Sequence, residues 1–326
     1  MIQLPNGRHA IIPLMGAPGA ILTGTTLRGN LTDAETQHRS LMALLDRFEP
    51  DGVFLLMDLT VEAECLGLPL VFPDNENPSV AEHPVKDLQG LETIRKRWRG
   101  IGGRMSVFLK TMELLAKDTN RTRGGYVIGP LTLAGELIGV SNLAIASIEN
   151  TELVAKAIDF SFEVVSAYAR GLMDAGSDVI AVLEPTAVIF SPAQFQKLCA
   201  EYFMRLQKVL DTRLILHVCG DTTHLLPEMS VTNALGLSLD SMVDFRHAIT
   251  QMPSDMMLIG NISPVDAFLN GKPSGIETAV DILLARIGDK SNFILSSGCD
   301  LPMDVPIDNI TAFMNAGRQF RPEESS

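Results

Sequence analysis

Apolar residues in this chain gather into eight short runs, each followed by a longer segment whose apolar positions recur at helical spacing. The runs are 10–14, 53–57, 126–129, 178–183, 213–218, 234–238, 256–260 and 292–296. They are near-continuously apolar rather than alternating, the pattern of parallel strands covered on both faces. The segments between them carry helix ends. Residues 151–173 hold helical spacing and stop before Asp174-Ala175-Gly176. Ser191-Pro192-Ala193-Gln194 reads as an N-cap, a proline in the first turn and a capping-box glutamine, and Ser263-Pro264-Val265-Asp266 repeats that logic with an acidic residue. Pro306 opens a last helix that Gly317 is expected to close.

Strand–helix alternation with no break in composition predicts one α/β domain spanning 1–326. Eight strands select a (β/α)8 TIM barrel over an open doubly wound sheet, and no G-x-G-x-x-G follows an early strand. The stretch 60–125, between the second and third strands, is long for one crossover. It predicts extra helices or a flap over the barrel mouth.

A hydrophobic share of 46% supplies a large core, and 26 glycines supply turns. The net charge of −13 argues against nucleic acid and anionic membrane surfaces, which need concentrated lysine and arginine. Apolar runs end well before membrane-spanning length. Ala10–Met15 after Arg8 is too short, and too interrupted by Pro13 and Gly16, for a secretory signal. Cys65, Cys199, Cys219 and Cys299 are too sparse for a disulfide scaffold. A cytoplasmic protein with a metal site or reactive thiol is the expectation.

In such a barrel, chemistry sits at the carboxyl ends of the strands. Those ends hold Asp58, Glu62 and Glu64 after the second strand, Gly129 and Pro130 after the third, and Glu184 after the fourth. The fifth ends in His217 and Cys219, Asp240 follows the sixth, Asn261 the seventh, and Cys299 and Asp300 the eighth. Asp58, Glu64 and Gly129 are candidate substrate-binding positions. Asp58, Glu62 and Glu64 also read as a paired-carboxylate acid/base site, against which a solvated loop is the stronger reading.

His217 and Cys219 stand two apart on one strand and so point the same way. An imidazole and a thiolate converging at a strand end match a borderline-soft metal such as zinc. Cys299 lies 80 residues further on, a spacing with no local meaning. In a barrel, however, the fifth and eighth strands face each other across the mouth. From spacing alone, ligation and simple burial are equal readings, with Gly220 and Gly298 beside the cysteines leaning toward a metal. Cys65 and Cys199 fall in helical patterns and are expected to pack in the core, and His224 and His247 to lie on the surface.

Several stretches carry a family resemblance: Asp58-Leu59-Thr60-Val61-Glu62-Ala63-Glu64 with Gly67, Pro78-Ser79-Val80 with His83-Pro84, Gly129-Pro130, and Asp178-Val179-Ile180 with Pro185. Leu216-His217-Val218-Cys219-Gly220, Gly260-Asn261-Ile262-Ser263 and Gly298-Cys299 complete the order. Over roughly 45–317 the chain resembles the uroporphyrinogen decarboxylase superfamily, and within it the corrinoid-dependent methyltransferase branch. The resemblance implies the barrel and a zinc ion on His217, Cys219 and Cys299 that activates a small thiol. It also implies transfer of a methyl group from a methylated corrinoid to that thiol. The decarboxylase branch carries an arginine-rich segment after the first strand; here that place reads Leu14-Met15-Gly16-Ala17-Pro18-Gly19-Ala20.

Asp221-Thr222-Thr223-His224 lacks the spacing and glycine of the D-x-H-x-x-G corrinoid motif, so the corrinoid is expected on a separate protein. Glu184 is the candidate for an extra resting-state ligand or a proton acceptor. Asp240 and Asn261 are candidates for orienting ligands or substrate through hydrogen bonds. Tetrahydrofolate as acceptor, an O- or N-methyl donor, a uroporphyrinogen decarboxylase-type enzyme, and a non-catalytic metal- or corrinoid-partner-binding barrel are the alternatives.

Overall fold

The computed structural model describes residues 8–288 and 290–320. Its eight long-range strands are β1 (Ala10–Ile11), β2 (Gly52–Phe54), β3 (Thr122–Ile128), β4 (Val179–Leu183), β5 (Ile215–Val218), β6 (Gly236–Leu239), β7 (Met257–Ile262) and β8 (Phe293–Ser297). They pair in parallel in the order β1-β8-β7-β6-β5-β4-β3-β2. All eight expected strands are present, and β3 begins four residues earlier than its apolar run, at Thr122.

Asp51 bridges the two ends of that order. Its backbone N–H donates to the Ile11 carbonyl at 3.0 Å, and its carboxylate accepts from the Ile11 N–H at 2.8 Å. Arg8 grips the same carboxylate through both terminal nitrogens, at 2.6 and 2.8 Å. The eight parallel strands and their surrounding helices thus form a (β/α)8 barrel.

Alternation along the strands sorts the apolar side chains into two cores. One fills the barrel, with Ile12, Phe54, Tyr126, Ala181, Ile215 and Ile294 among its members. The other lies between the strands and the outer helices, with Val127, Leu216, Leu258 and Leu295. The continuous apolar runs read from the sequence supply both faces.

The helix ends follow the predicted chemistry. The helix Thr151–Asp174 is capped by Asn150, whose side chain accepts from the Leu153 N–H at 3.2 Å. Ser191 and Gln194 form the full capping box, and Ser263 Oγ accepts from the Asp266 N–H at 3.0 Å. Gly317 corrects an expectation. The last helix runs through it, Ile307–Gln319, and Gly317 is buried. A Cβ there would lie 2.6 Å from Leu295 and 2.8 Å from Ile11, so the glycine serves close helix–strand packing instead of termination.

Between β2 and β3 the chain builds the helices Val61–Cys65, Leu88–Arg95 and Arg104–Asp118. With them comes a small antiparallel hairpin, Leu70–Val71 with Ser79–Val80, the expected flap. No single described helix is long and apolar enough to cross a membrane.

Candidate metal centre

At the carboxyl ends of β5 and β8 three soft ligands meet. His217 Nε2 lies 3.1 Å from Cys219 Sγ, Cys219 Sγ lies 3.1 Å from Cys299 Sγ, and Cys299 Sγ lies 3.6 Å from His217 Nε2. This is the one grouping of His, Cys, Asp or Glu found among the described residues that could hold a metal ion. His217 is buried, and both cysteines are half-buried free thiols.

The donor set passes a test of fit. Tetrahedral zinc with bonds of about 2.0 Å to nitrogen and about 2.3 Å to sulfur sets its ligands roughly 3.6–3.8 Å apart. The Cys299–His217 edge already has that length, and the other two, at 3.1 Å, would open by about half an ångström or slightly more to admit the ion. The Cys299 thiol is pushed far above its ordinary range, first by the Cys219 thiol beside it and then by burial, with His217 opposing. Two thiolates this close need a cation between them.

His217 is placed by strand register. It pairs with Leu183 on β4 and Ser238 on β6, and its Nδ1 is 2.8 Å from Ser238 Oγ. Ser238 was not among the sequence candidates. The register of adjacent strands, had it been known, would have pointed to it. Beneath the ring the barrel interior is packed by Ile12, Phe54, Tyr126 and Ile215, leaving a cavity of ≈ 20 Å³. That is room for about one water. Any reactant therefore enters from the mouth.

Asp240 and Asn261 form the collar of this site. Asp240 Oδ2 accepts from the Gly220 N–H at 3.0 Å, one residue past Cys219. Asn261 Nδ2 donates to the Asp240 and Val243 carbonyls at 3.0 and 2.8 Å. Gly298, beside Cys299, lies so close to this loop that a Cβ would come 2.6 Å from the Ser241 nitrogen. Its role is backbone packing against the loop after β6.

Glu184 lies beside the site, at the end of the neighbouring strand, but its carboxylate faces elsewhere. Its N–H donates to the His217 carbonyl at 2.9 Å, yet its carboxylate accepts from the Leu131 N–H at 3.1 Å and from the Thr132 N–H and hydroxyl at 2.9 and 2.7 Å. Both oxygens thus cap the helix Pro130–Ile138. Burial pushes its pKa up to about 7 against these hydrogen bonds. Gly129 makes the room: a Cβ there would sit 1.9 Å from Glu184 Cδ.

Asp58, Glu62 and Glu64 are not a solvated loop. The first two are buried, and Val61–Cys65 is a helix. Arg104, absent from the sequence candidates, bonds Asp58, Glu64 and the Thr60 hydroxyl together. Glu62 Oε1 accepts from the Ile128 N–H at 2.9 Å, and burial pushes its pKa up to about 8. The structure therefore does not bring Asp58, Glu64 or Gly129 into the metal-ligating group. Cys199 is buried in the core, Cys65 packs against it, and His224 and His247 are exposed, as expected.

The family model described as uroporphyrinogen decarboxylase (URO-D) matches residues 14–320. The chain is 30% identical over 283 residues to the methylcobamide:CoM methyltransferase MtbA of Methanosarcina mazei, covering 83% of this chain and 80% of that protein. To the methylcobamide:CoM methyltransferase MtaA of Methanosarcina barkeri it is 28% identical over 277 residues, with the same coverage. A solved methyltransferase from Methanosarcina mazei superposes with a TM-score of 0.86 at 24% identity, over 97% of this chain and 95% of that one. This last likeness speaks for the fold.

Proposed function

The chain belongs to the uroporphyrinogen decarboxylase family, and from that premise we propose that it is a zinc-dependent methyltransferase moving a methyl group from a methylated corrinoid to a small thiol. The observation that carries this reading is the triangle of His217 Nε2, Cys219 Sγ and Cys299 Sγ, with edges of 3.1, 3.1 and 3.6 Å. Three protein ligands facing an open mouth are the pattern of a catalytic site, where a structural zinc has four. The names of the methylcobamide:CoM methyltransferase relatives agree with it.

His217 would hold the zinc through Nε2, leaving the Nδ1 proton to donate to Ser238 Oγ. Cys219 and Cys299 would hold it as thiolates, whose two charges would balance a divalent cation. Bound there, zinc lowers the pKa of an incoming thiol so that it ionises near neutral pH. Asp240 holds the Gly220 N–H and so fixes the turn that carries Cys219. Asn261 holds the backbone of that loop in turn. The packed barrel floor keeps bulk water from the underside of the site.

In the transfer, the thiolate sulfur attacks the methyl carbon of the corrinoid. The S–C bond forms as the Co–C bond breaks, and its electron pair stays on cobalt. The chain has no corrinoid motif of its own, so the corrinoid arrives on a separate protein at the mouth. A reducing, cytoplasmic compartment keeps both ligand thiols available. The segment after β1, Leu14–Ala20, contains no cation to pair with a polycarboxylate tetrapyrrole, which disfavours decarboxylation of one.

The test is metal content after purification under reducing, chelator-free conditions, with His217→Ala and Cys219→Ala beside the wild type. Stoichiometric zinc in the wild type alone is expected, together with thiol-dependent demethylation of methylcobalamin. Wild-type protein without zinc would sink the reading.

A further inference from the structure

Resting on the reading that zinc is held by His217, Cys219 and Cys299, we propose that the two cysteines are also a thiol–disulfide switch. A small organic disulfide oxidises them to a Cys219–Cys299 disulfide that cannot hold zinc, and small thiols of the kind the site activates reduce it again. The two Sγ atoms are 3.1 Å apart. A disulfide bond is about 2.05 Å long, so closure needs roughly 1 Å of approach. Zinc asks for the opposite movement, to roughly 3.8 Å. The observed spacing lies between the two states.

The backbone allows either movement. β5 ends at Val218 and β8 at Ser297, so both cysteines stand just outside the strands, and neither is paired in the sheet register. Shifting a sulfur by an ångström therefore breaks no ladder hydrogen bond. The other cysteines lack this option. Cys199 is 1% exposed within the core, and Cys65 lies outside the metal-ligating group, its Sγ 3.7 Å from the Gly100 carbonyl. Cys219 and Cys299 are half-buried free thiols. An acceptor thiol has to reach this pair in the proposed reaction, so its disulfide meets the same sulfurs by the same route.

The exchange balances in two steps. One cysteine sulfur, as thiolate, attacks a sulfur of the reagent RSSR; the new S–S bond forms as the reagent's own breaks, and one RS⁻ leaves. The second cysteine then attacks the protein sulfur of that mixed disulfide and expels the other RS⁻. Two electrons pass from the protein to RSSR, which ends as two RSH. The two protons come from the cysteine thiols in zinc-free protein, and from water when the pair starts as zinc thiolates and Zn²⁺ departs. Thiolate is the ligand form of cysteine, so the closed pair leaves His217 as the sole ligand. Excess RSH runs both steps backward. The site then holds zinc, and activates its acceptor, only while the acceptor thiol outweighs its disulfide.

Hydroxyethyl disulfide, a small neutral reagent, is added to the zinc-loaded full chain beside a reagent-free control. Zinc release is followed with a chromogenic chelator, free thiols are counted, and cysteine peptides are mapped. Zinc and two thiols should be lost together, with retained zinc under about a tenth of the control. The map should join Cys219 to Cys299 with no reagent attached, and excess 2-mercaptoethanol followed by zinc should restore the starting state. In Cys299→Ser the exchange should stop at a reagent adduct on Cys219, lasting at least about a hundredfold longer than in wild type, where the second step is intramolecular. Cys219→Ser gives the reciprocal adduct on Cys299 should the first variant not fold. Cys65→Ser, outside the site, should behave as wild type.

Zinc-loaded protein that keeps its zinc and its thiols overturns the proposal. So does a lasting reagent adduct in the wild type, or a disulfide that uses Cys65 or Cys199. Reduced protein that carries no zinc removes the metal reading instead, and the thiol count and peptide map still decide whether the pair closes.

Discussion

The Nδ1 atom of His217 and the Oγ atom of Ser238 are 2.8 Å apart, on residues level with each other across β5 and β6. The contact holds the tilt of the one imidazole in the site. Ser238→Ala should therefore weaken zinc binding by roughly 10- to 100-fold with the fold unchanged. Competition with a chromogenic chelator measures it. Unaltered affinity would mean that packing alone orients the ring.

Gly129 and Glu184 occupy one space, since a Cβ on the glycine would sit 1.9 Å from the glutamate carboxyl carbon. Gly129→Ala should displace Glu184 from the Leu131 and Thr132 N–H groups, and Glu184→Ala should strip them outright. Each change is expected to cost about 3 kcal/mol in urea unfolding. In the Glu184→Ala background, adding Gly129→Ala should cost under about 1 kcal/mol. Strict additivity contradicts the shared space. Zinc affinity in Glu184→Ala is the second readout: intact binding assigns the carboxylate to the helix, and weakened binding restores it as a ligand.

How much of this was legible in the residues follows from the reach of each signal. All eight strands could be read because strands covered on both faces carry continuous apolar runs, whatever the tertiary detail. His217 stands on β5 and Cys219 directly follows it, so continuing the strand's alternation turns both the same way. Cys299 shares the parity of Leu295, which packs on the outer side of β8, and only the bend at Gly298–Cys299 brings it to the mouth. Glu184 misleads for the converse reason. Leu183 faces the barrel interior, so its successor faces the helices. The Asp58–Arg104 pair spans 46 residues and two elements, and no local pattern announces it.

Glu62 should make stability fall as pH rises. Its folded-state pKa is pushed up to about 8 from an ordinary 4.5, with burial the main cause. Between those values the folded protein holds a proton that the unfolded chain has released. Its contribution is then complete below about pH 4.5 and declines by up to about 1.4 kcal/mol per pH unit on the way to 8. Glu184, raised to about 7 by burial, acts in the same direction. Glu62→Gln keeps an oxygen for the Ile128 N–H and removes one titration, so the slope from pH 5 to 8 should flatten by up to that amount. Parallel wild-type and variant slopes in urea unfolding would exclude this origin.

Arg104 ties the flap to the barrel, and its removal should separate stability from metal binding. Its partner Asp58 has no exposed side-chain area, and Arg104 itself is 6% exposed. Arg104→Met keeps the length of the side chain but leaves a buried carboxylate unpaired, at an expected cost of about 3–5 kcal/mol. The Phe72 ring, centred 4.8 Å from the Arg104 guanidinium and 5.2 Å from that of Arg28, then loses one of its two cations. Residues 70–80 should become the first site of limited proteolysis, while His217, Cys219 and Cys299, at the carboxyl ends of β5 and β8, keep their zinc. Adding Asp58→Asn removes the stranded charge and should return part of the lost stability. If it returns none, the cost belongs to Glu64 or to the Phe72 contact instead of the buried pair.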